Sequence, residues 1–159
     1  MIHWASWVIW GFGATAVLSV IMAAGHGLGF TRMSIPYLLG TMLTPDRDRA
    51  RLLGIPIHIV NGWLFSLLYV YAFHAWGGPT WWKGALIGAV HGSFVLALVL
   101  PALPALHPRM ASESTGPTVV RQLEPPGFLA RNYGNETPLW TFFAHLVFGA
   151  ILGGFYTGP

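Results

Sequence analysis

The stretch that decides the fold is Leu52–Phe73, LLGIPIHIVNGWLFSLLYVYAF. It runs for 22 residues without an Asp, Glu, Lys or Arg, and a helix of ~20 apolar residues crosses the ~30 Å hydrocarbon core of a bilayer. His58 and Asn61 stand inside it, one turn apart. An imidazole and a carboxamide are costly against lipid, so both are expected to face protein, water or a bound group.

The rest of the chain repeats the pattern. Charge is absent from Met1–Thr31, Leu52–Trp82, Gly84–Pro108 and Thr137–Pro159. Over all 159 residues only 8% are charged and 54% are hydrophobic, whereas a soluble domain carries about 25% charge. These figures predict an all-α integral membrane protein, a four-transmembrane-helix bundle forming a single membrane domain over residues 1–159. The spans are placed at about 11–35, 52–73, 81–100 and 139–156, with loops at about 36–51 and 102–136. Trp4, Trp7 and Trp10 read as an interfacial belt before the first span. Pro36 and Pro101 are expected to close the first and third spans. Thr44-Pro45 and Thr137-Pro138 have the form of a helix cap followed by proline, opening the second and fourth.

Seven arginines fall in or beside the two long loops, and Lys83 alone lies on the other side. The positive-inside rule puts those loops in the cytoplasm and both termini outside. Orientation therefore accounts for the high isoelectric point, about 9.7, without a nucleic-acid partner. The apolar N-terminus lacks a basic leader and reads as a retained helix. With no cysteine, disulfides, thiolate metal sites and thiol catalysis are excluded. All five acids lie outside the spans, which argues against a carboxylate-driven pump and a ferritin-like di-iron centre. The acceptor-like triplet Asn135-Glu136-Thr137 precedes Pro138 in a cytoplasmic loop and carries no weight.

Each span holds one histidine: His26, His58, His91 and His145. Placing His26 over His91 sets Pro36 on Pro101 and Ser19 on Gly84; placing His58 over His145 sets Gly62 on Gly149 and Ser66 on Gly153. The bundle thus reads as two parallel-repeat helical hairpins related by an axis along the membrane normal. Small residues recur every fourth position at Gly11, Thr15, Ser19, Ala23 and Gly27, and at Gly84, Gly88 and Gly92. Shorter ladders occur at Gly62–Ser66 and Gly149–Gly153. Such ridges let helix backbones approach closely in lipid. The histidines lie on or beside them and are expected to point inward.

Counted from the closing prolines and the flanking charges, the four imidazoles lie ~10–15 Å deep, within about one helical turn of each other. Neutral imidazole is the commonest protein ligand for transition metals, and a His pair on facing helices is the usual axial set for haem b. The expectation is a haem b, another tetrapyrrole or a metal held through His26, His58, His91 and His145, with Asn61 beside them. The alternative is that these histidines hydrogen-bond one another, Asn61, Ser19 and Thr15, and tie the helices together for ~0.6–1.7 kcal/mol a pair. His3, His74 and His107, at span ends, read as interfacial residues. The segment EPPGFLARNYG, residues 124–134, reads as plain loop.

The segments WWKGALIGAVHGSFVLALVLPALP and FFAHLVFGAILGGFY, in the third and fourth spans, resemble the corresponding parts of YagU-like bacterial inner-membrane proteins. Those also set a Gly-rich helix ending at proline before a helix carrying His-Leu-Val. The resemblance implies a small multi-span membrane protein and carries over no functional residue. The functional expectation is an accessory or electron-transfer subunit of an energy-converting membrane complex, in contact with lipid and other membrane subunits. A cofactor-free interaction subunit and a small transporter are the rivals.

Overall fold

A computed structural model of the chain describes residues 1–114 and 116–158; Thr115, in the long loop, and Pro159, at the end of the 1–159 domain, lie outside the described residues. The described residues form helices and no strand, only two isolated β-bridges. In order these are α1 (Trp4–Gly27), α2 (Ile35–Thr41), α3 (Arg47–Ala75), α4 (Trp81–Phe94), a π-helical turn (Val95–Val99), α5 (Leu100–Leu106), a 3-10 segment (Phe128–Tyr133) and α6 (Thr137–Phe155). Four helical stretches are long and apolar enough to cross a membrane: Trp4–Gly27, Arg47–Ala75, Trp81–Leu106 and Thr137–Phe155.

Apolar side chains occupy both the interior and the outer surface. Val20, Leu64, Leu68 and Val90 are at least 60% exposed, while the interior combines Leu18, Val70, Phe73, Phe148 and Leu152 with the small or polar Ala14, Thr15, Ser66, Thr141 and Ala144. An apolar outer face is what lipid as solvent permits, and small residues inside let the helices pack closely.

Helices α4 and α6 touch through their backbones. A Cβ on Gly84 would collide with the carbonyl of Gly149, one on Gly149 with the carbonyl of Gly84, and one on Gly88 with the carbonyl of His145. The ladders expected in the third and fourth spans therefore face each other. The ladder in α1 is used only in its first half: Gly11 meets Trp63 and Ser66, and Thr15 fills the space a Cβ on Gly62 would occupy, whereas Gly27 has no neighbour within 4 Å. A second backbone contact joins α2 to α3, where Gly40 lies against Ala50 and Gly54 against Pro36.

Several element ends differ from expectation. Helix α1 begins at Trp4, not 11, so the tryptophans belong to its first turns; Trp7 Nε1–H donates to Ser66 Oγ at 2.9 Å and Trp10 stacks on Phe155. The same helix stops at Gly27, well short of Pro36, and Gly29 turns the chain with φ +81°. Pro36 opens the short helix α2 instead of closing α1, because its missing N–H is harmless in a first turn. Pro101 likewise fails to end the third span. The π-turn at Val95–Val99 shifts the hydrogen bonding by one residue, with Leu100 N–H donating to Val95 O, and Pro101 falls in the first turn of α5. The cap of α3 is Asp46, whose carboxylate accepts from Arg49 N–H at 2.8 Å, not Thr44. In α6 Thr137 lies inside the helix, and its hydroxyl donates to Thr31 Oγ1 at 2.8 Å.

The loop expected at 102–136 begins as helix α5 and then folds back over the arginine-rich end. Arg109 donates to the terminal carbonyls of α2, Thr41 O at 2.6 Å and Met42 O at 3.1 Å. Arg32 pairs with Glu124 at 3.1 Å and donates to Asn132 O, while its N–H bonds Tyr133 O at 2.7 Å. Burial and the Glu124 carboxylate push the Tyr133 phenol up, against the pull of Arg32; it stays protonated and donates to Glu124 O at 2.7 Å. Met110, Ala130 and Tyr133 are buried, so this segment is packed structure, and the plain-loop reading of 124–134 is corrected. At the opposite end Lys83 Nζ donates to Trp76 O at 2.7 Å and Gly78 O at 3.0 Å, closing the turn between α3 and α4.

Replacing Gly84 by Val forces α4 and α6 apart. Overpacking of this kind costs about 1–3 kcal/mol, and Gly84→Val should lower the thermal midpoint of the detergent-solubilised protein clearly. Gly27→Ala, with open space beside it, should leave the midpoint within a degree or two of wild type.

Candidate functional site

Helix α3 brings His58 and Asn61 to the bundle interior, α4 brings His91, and α6 brings Thr141 and His145 one turn apart on the same face. Between them lies a cavity of about 160 Å³. Apart from Thr15 and His107 its remaining lining is apolar, with Leu18 and Met22 from α1, Leu38 from α2, Val95 and Val99 from the π-turn, and Phe148 from α6. The π-turn thus supplies cavity wall as well as accommodating Pro101.

His91 and His145 are in contact, ring centroids 4.7 Å apart and planes at 85°. Phe65 stacks on the other side of His91 at 4.4 Å, and the Tyr69 hydroxyl lies 3.0 Å from His91 Nδ1. His145 Nδ1 is 2.8 Å from Thr141 O, a carbonyl that only accepts, so Nδ1 carries the proton. In the neutral ring Nε2 then holds the lone pair. Helix register explains this bond: residues four apart share a face, and the α6 carbonyl at Thr141 is within reach of the His145 ring.

Three polar groups on the wall have no hydrogen-bond partner among the described residues. The hydroxyl of Thr141 is buried and unsatisfied, and no hydrogen bond is made by the side chains of His58 or Asn61. A buried hydroxyl without a partner costs about 1–3 kcal/mol, and Thr141 bears that cost; His58 and Asn61 are only part-buried. All three line one space.

The four histidines expected at one level do not all meet. His58, His91 and His145 line the cavity; His26 is exposed near the end of α1 and lines a neighbouring groove. Its depth was counted to Pro36, but α1 ends one residue after it. The groove is lined by Ser19, Ala23, His26, Arg32 and Arg51, and it shares His58, Leu18, Met22 and Met33 with the cavity. His58 therefore stands where groove and cavity join. No group of three or more His, Asp or Glu side chains is placed to share a metal ion among the described residues.

His107, read as interfacial, is instead 1% exposed and fully bonded. Its Nδ1 accepts from Arg109 N–H at 3.1 Å, and its Nε2–H donates to Leu38 O at 2.9 Å. It is a strut between α5 and α2 at the rim of the cavity. Sequence reasoning missed Thr141 and Phe65 on the wall. A Thr four residues before a membrane-buried His, and an aromatic four residues after Asn61, are signals that place them there. Among the polar side chains of α3, Ser66 serves Trp7, whereas His58, Asn61 and Tyr69 face the histidine region.

No family model, curated protein or solved structure matches this chain.

Because the Thr141 hydroxyl has no partner, Thr141→Val should be neutral or stabilising by up to about 1 kcal/mol in the ligand-free protein. Thr31→Val, which removes the bonds to Thr137 Oγ1 at 2.8 Å and Met33 N at 3.0 Å, should destabilise by about 1–3 kcal/mol. Parallel denaturation curves in mild detergent read both.

Proposed function

We propose that this chain is an integral membrane protein that binds a small, single-ring molecule with hydrogen-bonding oxygens inside the bilayer, a quinone headgroup being the class that fits best. The observation that carries the reading is the convergence of Thr141, His58 and Asn61, all unpartnered, on one apolar cavity of about 160 Å³. A cavity of ~150 Å³ takes one benzene-sized ring. Carbonyl oxygens would accept from the Asn61 amide and the Thr141 hydroxyl, and a reduced hydroxyl would donate to His145 Nε2. The groove beside His58 gives such a ligand a route from lipid. A redox-active occupant makes the protein an accessory or electron-transfer subunit of an energy-converting complex, with other membrane subunits against its exposed apolar faces.

A transition metal is the second reading, favoured by the His145 tautomer. A ring nitrogen tied to a backbone carbonyl leaves the other free for a metal, the usual arrangement of metal-ligating histidine. His91 and His145 would be the first two ligands, with His58 brought in by side-chain rotation. Haem b, or another tetrapyrrole, needs more room than the cavity offers and requires α1 and α3 to part from α4 and α6.

Two finer statements belong with this reading. The arginine-rich end faces the cytoplasm and both termini lie outside, by the seven-to-one charge bias, and the resemblance to YagU-like proteins makes the membrane a bacterial inner one. The chain is a parallel repeat of two hairpins. In its support, α2 and α5 are both seven-residue helices opening on Ile35-Pro36 and Leu100-Pro101, the residues that the histidine alignment superposes. Against a strict repeat, Gly62 sits on Thr15, one turn from the Ser19 that the alignment pairs with it.

A short-chain quinone titrated into purified protein should bind, and Asn61→Leu and His145→Leu should each weaken it about five-fold or more through loss of a hydrogen bond. Equal binding by both variants and wild type would sink the quinone reading. Stoichiometric metal in protein from native membranes, lost in His145→Gln, would establish the second reading instead. A colourless, metal-free protein without quinone affinity would leave only a packing role.

A further inference from the structure

A second site lies at the arginine-rich end, beside the cavity; it shares Met33 and Leu38 with the cavity wall and Arg32, Ser34, Tyr37 and Arg51 with the groove, but Arg47 belongs to it alone of the three. A cleft of about 400 Å³ is formed where the start of α3, the α1–α2 connection and the folded loop meet. Arg32, Arg47 and Arg51 line it, together with Ser34, Tyr37 and Tyr133. Glu124 is the one acidic residue on its wall, and it is engaged by Arg32 at 3.1 Å. Arg51 is held over the Tyr37 ring, 5.9 Å from its centroid, and reaches Asp48 at 3.6 Å. Arg47 makes no ion pair among the described residues, and neither the Ser34 nor the Tyr37 hydroxyl makes a hydrogen bond there.

The cluster is unfavourable on its own. Arg47 and Arg51 occupy the first turns of a 29-residue helix, the end where the helix dipole is positive and cations are disfavoured. Arg32 adds a third cation; Glu124 offsets Arg32 and Asp48 offsets Arg51 in part, and Arg47 is left without an ion-pair partner among the described residues. An anion seated between them relieves both repulsions. Guanidinium groups match phosphate oxygens in planar, paired geometry, and the free hydroxyls add donors. The cleft sits at the end of the membrane-crossing helices, at the depth of lipid headgroups. Basic pockets between membrane helices on the cytoplasmic side bind phosphate-bearing headgroups.

We propose that the Arg32–Arg47–Arg51 cleft is a phosphate-binding site occupied by the headgroup of an anionic membrane lipid. The test uses the full-length protein in mild detergent, titrated with short-chain phosphatidylglycerol, short-chain phosphatidylcholine and inorganic phosphate. Phosphatidylglycerol should bind more tightly than phosphatidylcholine. Arg47→Gln and Arg51→Gln should each weaken it about five-fold, and together about 25-fold, at roughly one arginine contact apiece. Both side chains are exposed, so the variants should keep the wild-type thermal midpoint. Arg121→Gln, an exposed arginine outside the cleft, should bind as wild type. Equal affinity for the two lipids, or equal weakening by Arg121→Gln, would reduce the effect to general charge attraction and overturn the site. Inorganic phosphate binding as tightly as phosphatidylglycerol would overturn the lipid as its source.

Discussion

The spacing of the bundle is set by two carbonyl oxygens, those of Gly84 and Gly149, each lying where a side chain on the other glycine would begin. In lipid no hydrophobic effect presses helices together, so close packing and weak Cα–H···O contacts must hold them. Those terms fall away quickly with distance, and the absence of Cβ atoms at Gly84, Gly88, Gly149 and Gly153 permits the approach. The position of His145 follows directly. Its carbonyl lies against Gly88 and its Cβ against Gly92, so the ring is directed to the side of α4 where His91 stands. The two imidazoles touch because two backbones touch.

The cavity is the counterpart of that contact. Where α4 meets α6 there is no space left; where α1 and α2 face α4 and α6 the intervening residues are long and flexible, among them Leu18, Met22 and Met33. Polar atoms at this boundary are either fully bonded, like His107, or without any partner, like the Thr141 hydroxyl. The first kind fixes the walls. The second kind gives the space its chemical character. His107 and Arg109 draw α5 onto α2 and close the cavity from the arginine-rich end, a task that side chains in a plain connecting loop would not perform.

Much of this was written in the sequence in a form that could be read. Charge-free runs gave the four spans, and glycines at every fourth position in the third and fourth spans gave the α4–α6 contact. His58, His91 and His145 were placed inward on the same grounds. The contact between α2 and α3 was not legible, because Gly40 and Gly54 belong to no periodic series and meet only through a turn whose geometry is tertiary. Helix ends were misjudged for a related reason. Proline reads as a stop at Pro36 and Pro101, yet in both places it stands in the first turn of a helix; only the path of the chain before it decides which. The error placed His26 nine residues too deep, ~13 Å at 1.5 Å per residue, and so inside a cluster that it does not join. Thr141 escaped notice because an unpartnered hydroxyl is defined by what surrounds it, which no single residue announces.

The π-turn at Val95–Val99 has a consequence for how this chain tolerates length changes. A π-turn holds one residue more than the α-helical turn it replaces, so everything beyond it is out of phase with α4. Each residue in a helix advances the side-chain direction by about 100°. Deleting one residue between Val95 and Val99 would restore regular helix and improve local hydrogen bonding. It would also turn α5 by that angle and swing His107 away from the Leu38 carbonyl. The least regular turn in the molecule is therefore the one whose exact residue number the far end depends on, and a shorter, smoother helix would detach the cover from the bundle.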